Sequence, residues 1–338
     1  MFKQAYGIIE TLAPLHVGTT VGEGSGNLNQ IFRDRFTKTG IIPGSSIRGR
    51  LRAEMRTWRL QIEAERKAFL QAELQTVIAQ EQAQAEAENL SDPTENLVFL
   101  ERLARQQNLT IPDNLQASAA LHESTWYGRE SQAGLPDSQT EARVKFEYAS
   151  IAWLPIYAPN QPIVWVSCPK LLSRFKRIAR LTAPVPKPYT KSRSLRGLTI
   201  NGVEKVFFSF GFLTIECADD LSGWFPSESE LPAIVVDDDD MPVLHDMALY
   251  RQSRVKLKDD EKRTDLEDKG FFNMEALPEG TILAFPIGIK PDRSEAETGE
   301  GTQWQPLGFD RPSSTADIYL GGLESIGYGH CELTLVGV

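Results

Sequence analysis

The feature that most constrains this chain is an irregular interleaving of strand-like and helical runs, with no repeating βα unit. Strand patterns occur at "AYGIIETLAPLHV" (5–17), "PIVWVSC" (162–168), "KVFFSFGFLTIEC" (205–217), "AIVV" (233–236), "TILAFPIGI" (281–289) and "CELTLVGV" (331–338). Between them "CPKLLSRFKRIARL" (168–181) carries Leu171, Leu172, Phe175 and Ile178 at helical spacing. A parallel α/β sheet would need regular alternation, so the pattern predicts an α+β fold. With 338 residues, 41% of them hydrophobic, the chain can bury a sizeable core.

One segment departs from this pattern. From Thr57 to about Ser124 the composition shifts to Ala, Gln, Glu and Leu, and Ile62, Phe69, Leu70, Leu74, Val77 and Ile78 form a stripe along one helix. A second helix is predicted from about Pro93 to Gln107, after the "SDP" break. Residues 57–124 therefore read as a helical insertion in a host made of 1–56 and 125–338. The stripe either packs within its own domain or docks another subunit.

The net charge of -10 is unevenly spread. Residues 1–56 hold eight basic and four acidic groups, and 165–210 hold ten basic and one acidic; 57–142 hold six basic and fourteen acidic, and 214–246 ten acidic and no Lys or Arg. A polyanion-binding face is compatible with that segregation despite the acidic total. No run reaches the roughly 18 apolar residues of a membrane helix, and residues 1–12 lack a secretory pattern, so a cytoplasmic, membrane-free protein is expected. Cys168, Cys217 and Cys331 lie too far apart for a CxxC site and are expected as buried free thiols.

Enzyme signatures are sparse. "GEGSG" (22–26) has neither dinucleotide nor phosphate-loop spacing, the four histidines show no zinc spacing, and there is no GxSxG elbow. "DDDD" (237–240) reads as a solvated acidic turn. By contrast, "GIIPGSSIRGRLR" (40–52) places Ser45 or Ser46 as an N-cap, with Ile47, Leu51 and Met55 on a buried side and Arg48, Arg50, Arg52 and Arg56 close behind. A helix start so charged suits a phosphate; an ordinary capped helix with a solvated basic face is the alternative. "YLGGLESIGYGHCEL" (319–333) sets Gly321, Gly322, Gly327 and Gly329 ahead of the last strand, which serves close backbone approach or a plain tight turn.

These blocks resemble a known family. "TLAPLHVG", "RDRFTKTGIIPGSSIRGRLR" and "LGGLESIGYGHCEL" look like the signature blocks of the RAMP superfamily of CRISPR proteins, specifically the backbone subunit of type III effector complexes. "YASIAWLPIYAPNQPIVWVSCPKLLSRF" (148–175) and "RQSRVKLKDDEKRTDLEDKGFFNMEALPEGTILAF" (251–285) are similar to the central and thumb segments of its Cmr-type members, in the same order. The resemblance implies a modified ferredoxin-like, RRM-type domain with a β-hairpin thumb at about 250–278. It implies partners too: CRISPR RNA, target RNA and neighbouring effector subunits. RNA-binding positions carried over are His16, Arg33, Ser45, Ser46, Arg48, Arg52, Arg251, Arg254, Lys256, Lys258, Gly321, Gly322, Gly327 and Gly329. Phe271, Phe272 or Met274 is implied as an apolar wedge between bases, or else as core.

Cleaving members of the family use an aspartate six residues before the acid of an Arg-Asp or Arg-Glu pair, together with a divalent metal. Here the pair is Arg33-Asp34, and that position is Leu28, which neither binds a hard cation nor takes a proton. No metal or cofactor is expected for binding, and Mg²⁺ or Mn²⁺ only if RNA is cut. Glu23 in the same loop and Asp34 are the remaining carboxylate candidates for a metal-dependent endoribonuclease. A protein-interaction scaffold built on the insertion is the third reading.

Overall fold

The computed structural model describes residues 2–19, 28–79, 81, 96–115, 122–129, 140–159, 161–209, 211–255, 271–291, 304–306 and 315–338. Strands β1 (Lys3–Thr11), β2 (Leu28–Asn29) and β3 (Ile41–Ile42) precede helix α1 (Gly44–Glu73). Helices α2 (Leu97–Gln106) and α3 (Glu123–Tyr127) follow, then β4 (Val144–Phe146), β5 (Ala149–Ala158), β6 (Gln161–Ser167) and α4 (Pro169–Ala179). Six short strands come next: β7 (Thr190–Ser192), β8 (Leu198–Ile200), β9 (Val203–Phe208), β10 (Gly211–Thr214), β11 (Cys217–Asp219) and β12 (Ala233–Val235). After α5 (Met241–Ala248) come β13 (Tyr250–Val255), β14 (Phe271–Ala276), β15 (Ile282–Ile289), β16 (Thr315–Tyr319) and β17 (His330–Val336).

The main sheet runs β11-β7-β12-β6-β5-β15-β1-β17-β16, with β3 added on β5 and β4 on β15. At its centre β1 is antiparallel to both β15 and β17, and β15 is antiparallel to β5. The order β17-β1-β15-β5 therefore inserts β15 between two parallel strands, β1 and β5, the split βαβ arrangement of a ferredoxin-like sheet. The α+β expectation holds. Helix α4 lays Leu172, Phe175 and Ile178 against Ile8, Ala152, Trp153, Ile282 and Ala284 on one face of the sheet. Trp153 stacks on Phe225 at 4.5 Å and donates its indole N–H to the Trp224 carbonyl at 2.8 Å, so this buried indole leaves no polar atom unpaired. The "KVFFSFGFLTIEC" run is not one strand: it turns back after Phe208, so that β9 and β10 form a hairpin in a separate three-stranded sheet with β8.

Contacts divide the chain into two compact units: Met1–Arg50, Val144–Pro291 and Pro312–Val338 form one, Leu51–Arg143 and Asp292–Arg311 the other. This second unit is wider than the 57–124 read from composition. Helix α1 contains no Pro or Gly between Arg50 and Glu73, so nothing breaks it at Thr57. Within the second unit Leu70 and Leu74 pack with Leu100, Leu103 and Ala104, flanked by Phe69, Val77 and Ile78. The apolar stripe is thus the core of its own helical unit. Helix α2 starts at Leu97, with Asn96 as N-cap accepting from Val98 N–H at 2.9 Å; Pro93 lies outside the described residues. Arg66, 3% exposed, is paired with Glu101 at 2.8 Å and bonded to the Leu115 carbonyl. Glu123 receives Arg59 and Arg56 at 2.9 and 3.2 Å. Its burial is outweighed by these guanidiniums, which hold its carboxyl down at about 2.

Cys168 and Cys331 are buried, and burial pushes both thiols up to about 12, whereas Cys217 is exposed and departs from the expectation of a buried thiol. Among the described residues no helix is long and apolar enough to cross a membrane.

Candidate nucleic-acid interface

Past the end of β1 the chain does not continue as strand but bends, and the segment 14–16 is held by backbone bonds from two other regions. Leu15 exchanges N–H···O bonds with Leu277 at 2.9 Å each way. On the other side Gly329 N–H donates to the Pro14 carbonyl at 2.9 Å and Gly322 N–H to the His16 carbonyl at 3.1 Å. These bonds require close approach. A Cβ on Gly321 would lie 2.2 Å from the His16 carbonyl oxygen, and one on Gly329 would lie 2.3 Å from that of Leu320; both glycines have positive φ, +81° and +82°. The late glycine block is therefore a docking loop for the His16 segment, rather than a plain turn.

His16 itself is buried, and its Nδ1 donates to the Glu275 carbonyl at 2.6 Å, which fixes its ring against β14. Glu275 is 2% exposed, and its carboxylate takes two guanidiniums. Arg33 Nη2 reaches Oε2 at 3.0 Å, while Arg251 reaches Oε1 with Nη2 at 3.2 Å and Nε at 3.4 Å. The other end of Arg33 meets Asp246 at 2.5 Å. Arg33 is thus held between a buried carboxylate, Glu275, and an exposed one, Asp246. Its neighbour Asp34 accepts from the N–H groups of Phe36 and Thr37 and the Thr37 hydroxyl, all at one oxygen. Burial tends to raise the Asp34 pKa, but these bonds win and lower it, as in a turn-forming aspartate.

Beneath this corner His245 is fully buried, and its Nε2 accepts from Gly40 N–H at 2.8 Å. Burial, reinforced by the Arg33 charge, pushes it down to about 4 and keeps the imidazole neutral. Helix α1 begins at Gly44, two or three residues earlier than an N-cap at Ser45 or Ser46 predicts. The Pro43 carbonyl accepts from Ser46 and Ile47 N–H groups at 3.0 and 3.3 Å, so Ser45 and Ser46 lie in the first turn and neither is the N-cap. Gly44 allows this: a Cβ there would sit 2.8 Å from the Phe146 carbonyl oxygen. Arg48 and Arg50 follow on the first turns, and Arg50 lies 3.7 Å from Glu324 in the glycine loop. Arg52, one turn beyond Arg48 on the same helix, is half-buried.

Strands β13 and β14 form the expected hairpin, with Arg251 directly opposite Glu275. Arg254 lies over the Tyr328 ring at 5.0 Å, and Tyr328 donates its hydroxyl to Gln252 at 2.7 Å, so the hairpin base is also tied to the glycine loop. Met274 is 3% exposed and belongs to the core, which removes it as a wedge. Lys256, Lys258, Glu23 and the side chains of Phe271 and Phe272 lie outside the described residues. Leu28 pairs with Asn273 as β2 joins the hairpin in parallel. An apolar side chain at that position does not fit a hard divalent cation, and among the described residues no group of three or more His, Cys, Asp or Glu is placed to hold a metal ion. A cleft of about 770 Å³ lies at the opposite end of β1, lined by Phe2, Tyr6, Lys145, Arg177 and Arg180.

Sequence reading missed Glu275, Asp246 and His245, each of which orders this corner. The one local signal was a lone acid inside the otherwise apolar "MEAL" run (274–277), at a strand position that the structure buries.

Comparison with known proteins places the chain. No curated protein matches it in sequence. Its fold is similar to a subunit of a cryo-EM structure of the type III-B Cmr-beta complex bound to cognate target RNA, with a TM-score of 0.54 at 16% identity over 98% of this chain and 96% of that one. It is similar also to crystal structures of Cmr4 (TM-score 0.53, 16% identity, 99% and 100% coverage) and of oligomeric Cmr4 from Pyrococcus furiosus (0.53, 16%, 99% and 98%). The sequence model of the RAMP superfamily matches residues 8–332, nearly the whole chain, and with the ferredoxin-like sheet and the glycine loop in place, the chain belongs to the RAMP superfamily.

Proposed function

We propose that this chain binds CRISPR RNA as a backbone subunit of a type III effector complex, holding the guide and the guide–target RNA duplex in RNA-guided antiviral defence. The observation that carries this reading is the convergence at one end of β1. The His16 segment, the arginine-bearing start of α1, the glycine loop and the base of the thumb hairpin are bonded to one another there, although they are spread from residue 14 to residue 329. A strand-end corner with the arginine-bearing start of α1 beside it and Arg251 at its surface suits a ribose-phosphate chain, and recognition of sequence is left to base pairing. The similar Cmr-beta complex is one bound to cognate target RNA, which favours the same ligand here. Neighbouring effector subunits are proposed as partners on the same likeness.

We further propose that the subunit holds target RNA without cutting it, because Leu28 stands where cleaving members carry an aspartate. The test is co-expression with its neighbouring effector genes, purification, and sequencing of bound RNA. Small RNAs that share a repeat-derived end are expected; a complex free of RNA that ignores added guide in dilute salt overturns the proposal.

A further inference from the structure

Glu275 joins three separate parts of the corner. Its backbone carbonyl takes the His16 imidazole at 2.6 Å, one carboxylate oxygen takes Arg33 at 3.0 Å, and the other takes Arg251 at 3.2 and 3.4 Å. The carboxylate is 2% exposed and Arg251 is 51% exposed, so the acid is the fixed member of the pair and the guanidinium the one at the surface. Register makes the pairing firm: Arg251 and Glu275 are direct cross-strand neighbours in an antiparallel hairpin, and Glu275 is immobilised by Arg33, which Asp246 holds from the far side. Arg251 engages Glu275 through its Nε and Nη2 edge, and Nη1 takes no part in that contact. A long, flexible cation is thereby held in one orientation before any ligand arrives.

We infer that Glu275 is a positioning residue for RNA binding, acting through Arg251: it aims the guanidinium at an RNA phosphate and locks the thumb base to the His16 segment. The role rests on the RNA-binding reading above. It also makes an unusual sign prediction. An acid beside a polyanion site repels the ligand, so removing its charge should tighten binding if charge alone matters. If orientation matters more, removal weakens binding.

The test is fluorescence anisotropy with a labelled single-stranded RNA and the full chain, comparing wild type, Glu275→Gln, Arg251→Ala and the double variant. Glu275→Gln is expected to weaken binding by about tenfold, the scale of one charged hydrogen bond. In the Arg251→Ala background the same change is expected to have no further effect. Tighter binding by Glu275→Gln, or equal loss in both backgrounds, overturns the role of Glu275 while leaving RNA binding intact. A wild type that binds no RNA overturns the RNA-binding reading and this role with it. Should Glu275→Gln fail to fold, Arg251→Lys decides: a lysine keeps the charge but loses the fork, so binding as weak as Arg251→Ala is expected, and wild-type affinity overturns the inference.

Discussion

Gly321 and His16 are packed backbone to backbone: the position a Cβ would take on Gly321 lies 2.2 Å from the His16 carbonyl oxygen, the same oxygen that accepts from Gly322 N–H at 3.1 Å. Contacts this close leave no room for any side chain, and the φ of +81° adds a backbone cost for an L-residue.

Gly321→Ala should therefore destabilise the protein by about 2–4 kcal/mol, combining the left-handed penalty with displacement of the His16 segment. Urea unfolding monitored by tryptophan fluorescence checks this. Gly322→Ala, where a Cβ meets nothing within 4 Å, is the control and should cost under about 1 kcal/mol.

His245 sets a pH dependence of stability. Its folded-state value of about 4 lies below the ordinary 6.5, so the unfolded chain takes up a proton before the folded one does. The contribution is full above pH 6.5, falls as pH drops from 6.5 to 4, and amounts to about 3 kcal/mol over that interval. Denaturation midpoints between pH 7.5 and 4.5 should show this fall, and His245→Gln should flatten the part due to this group. The charges of Arg33, Asp246 and Glu275 all act on the ring, so a variant at any of them should move the midpoint of the fall.

Arg48→Ala should weaken RNA binding at every sequence tested and lower the magnitude of the log–log salt slope by about 0.7 for the lost phosphate contact. Titrations of labelled RNA across a sodium chloride series measure it. A loss confined to particular sequences would mean that the side chain reads bases.

Target RNA opposite this subunit is expected to stay intact in Mg²⁺ or Mn²⁺. Gel analysis of end-labelled target bound to the assembled complex is the measurement. Cleavage abolished by Glu23→Ala would instead make the chain a metal-dependent endoribonuclease.

Much of the fold was legible before any coordinates. The α+β class, the run that became α4 and the apolar stripe of the insertion follow from local periodicity, because burial of one helix face imposes its spacing on neighbouring residues. Serines are common caps, but α1 starts at Gly44, where the backbone passes so close to the Phe146 carbonyl that a Cβ would not fit, a constraint from a strand distant in sequence. The corner itself was only half visible. Arginines and glycines marked it, but which arginines are committed internally depends on carboxylates distant in sequence.

By itself, the sequence determined that strands and helices mix without a repeat, that residue 28 is an apolar leucine, and that glycines crowd the approach to the last strand. Only the tertiary structure decided that Arg33 is spent on Glu275 and Asp246, that Arg251 is held by a buried acid, and that His245 stays neutral under Gly40. The physical reason is range. Periodicity and capping act over a few residues, whereas a charge's partner and its burial are set by whichever strand the sheet brings alongside.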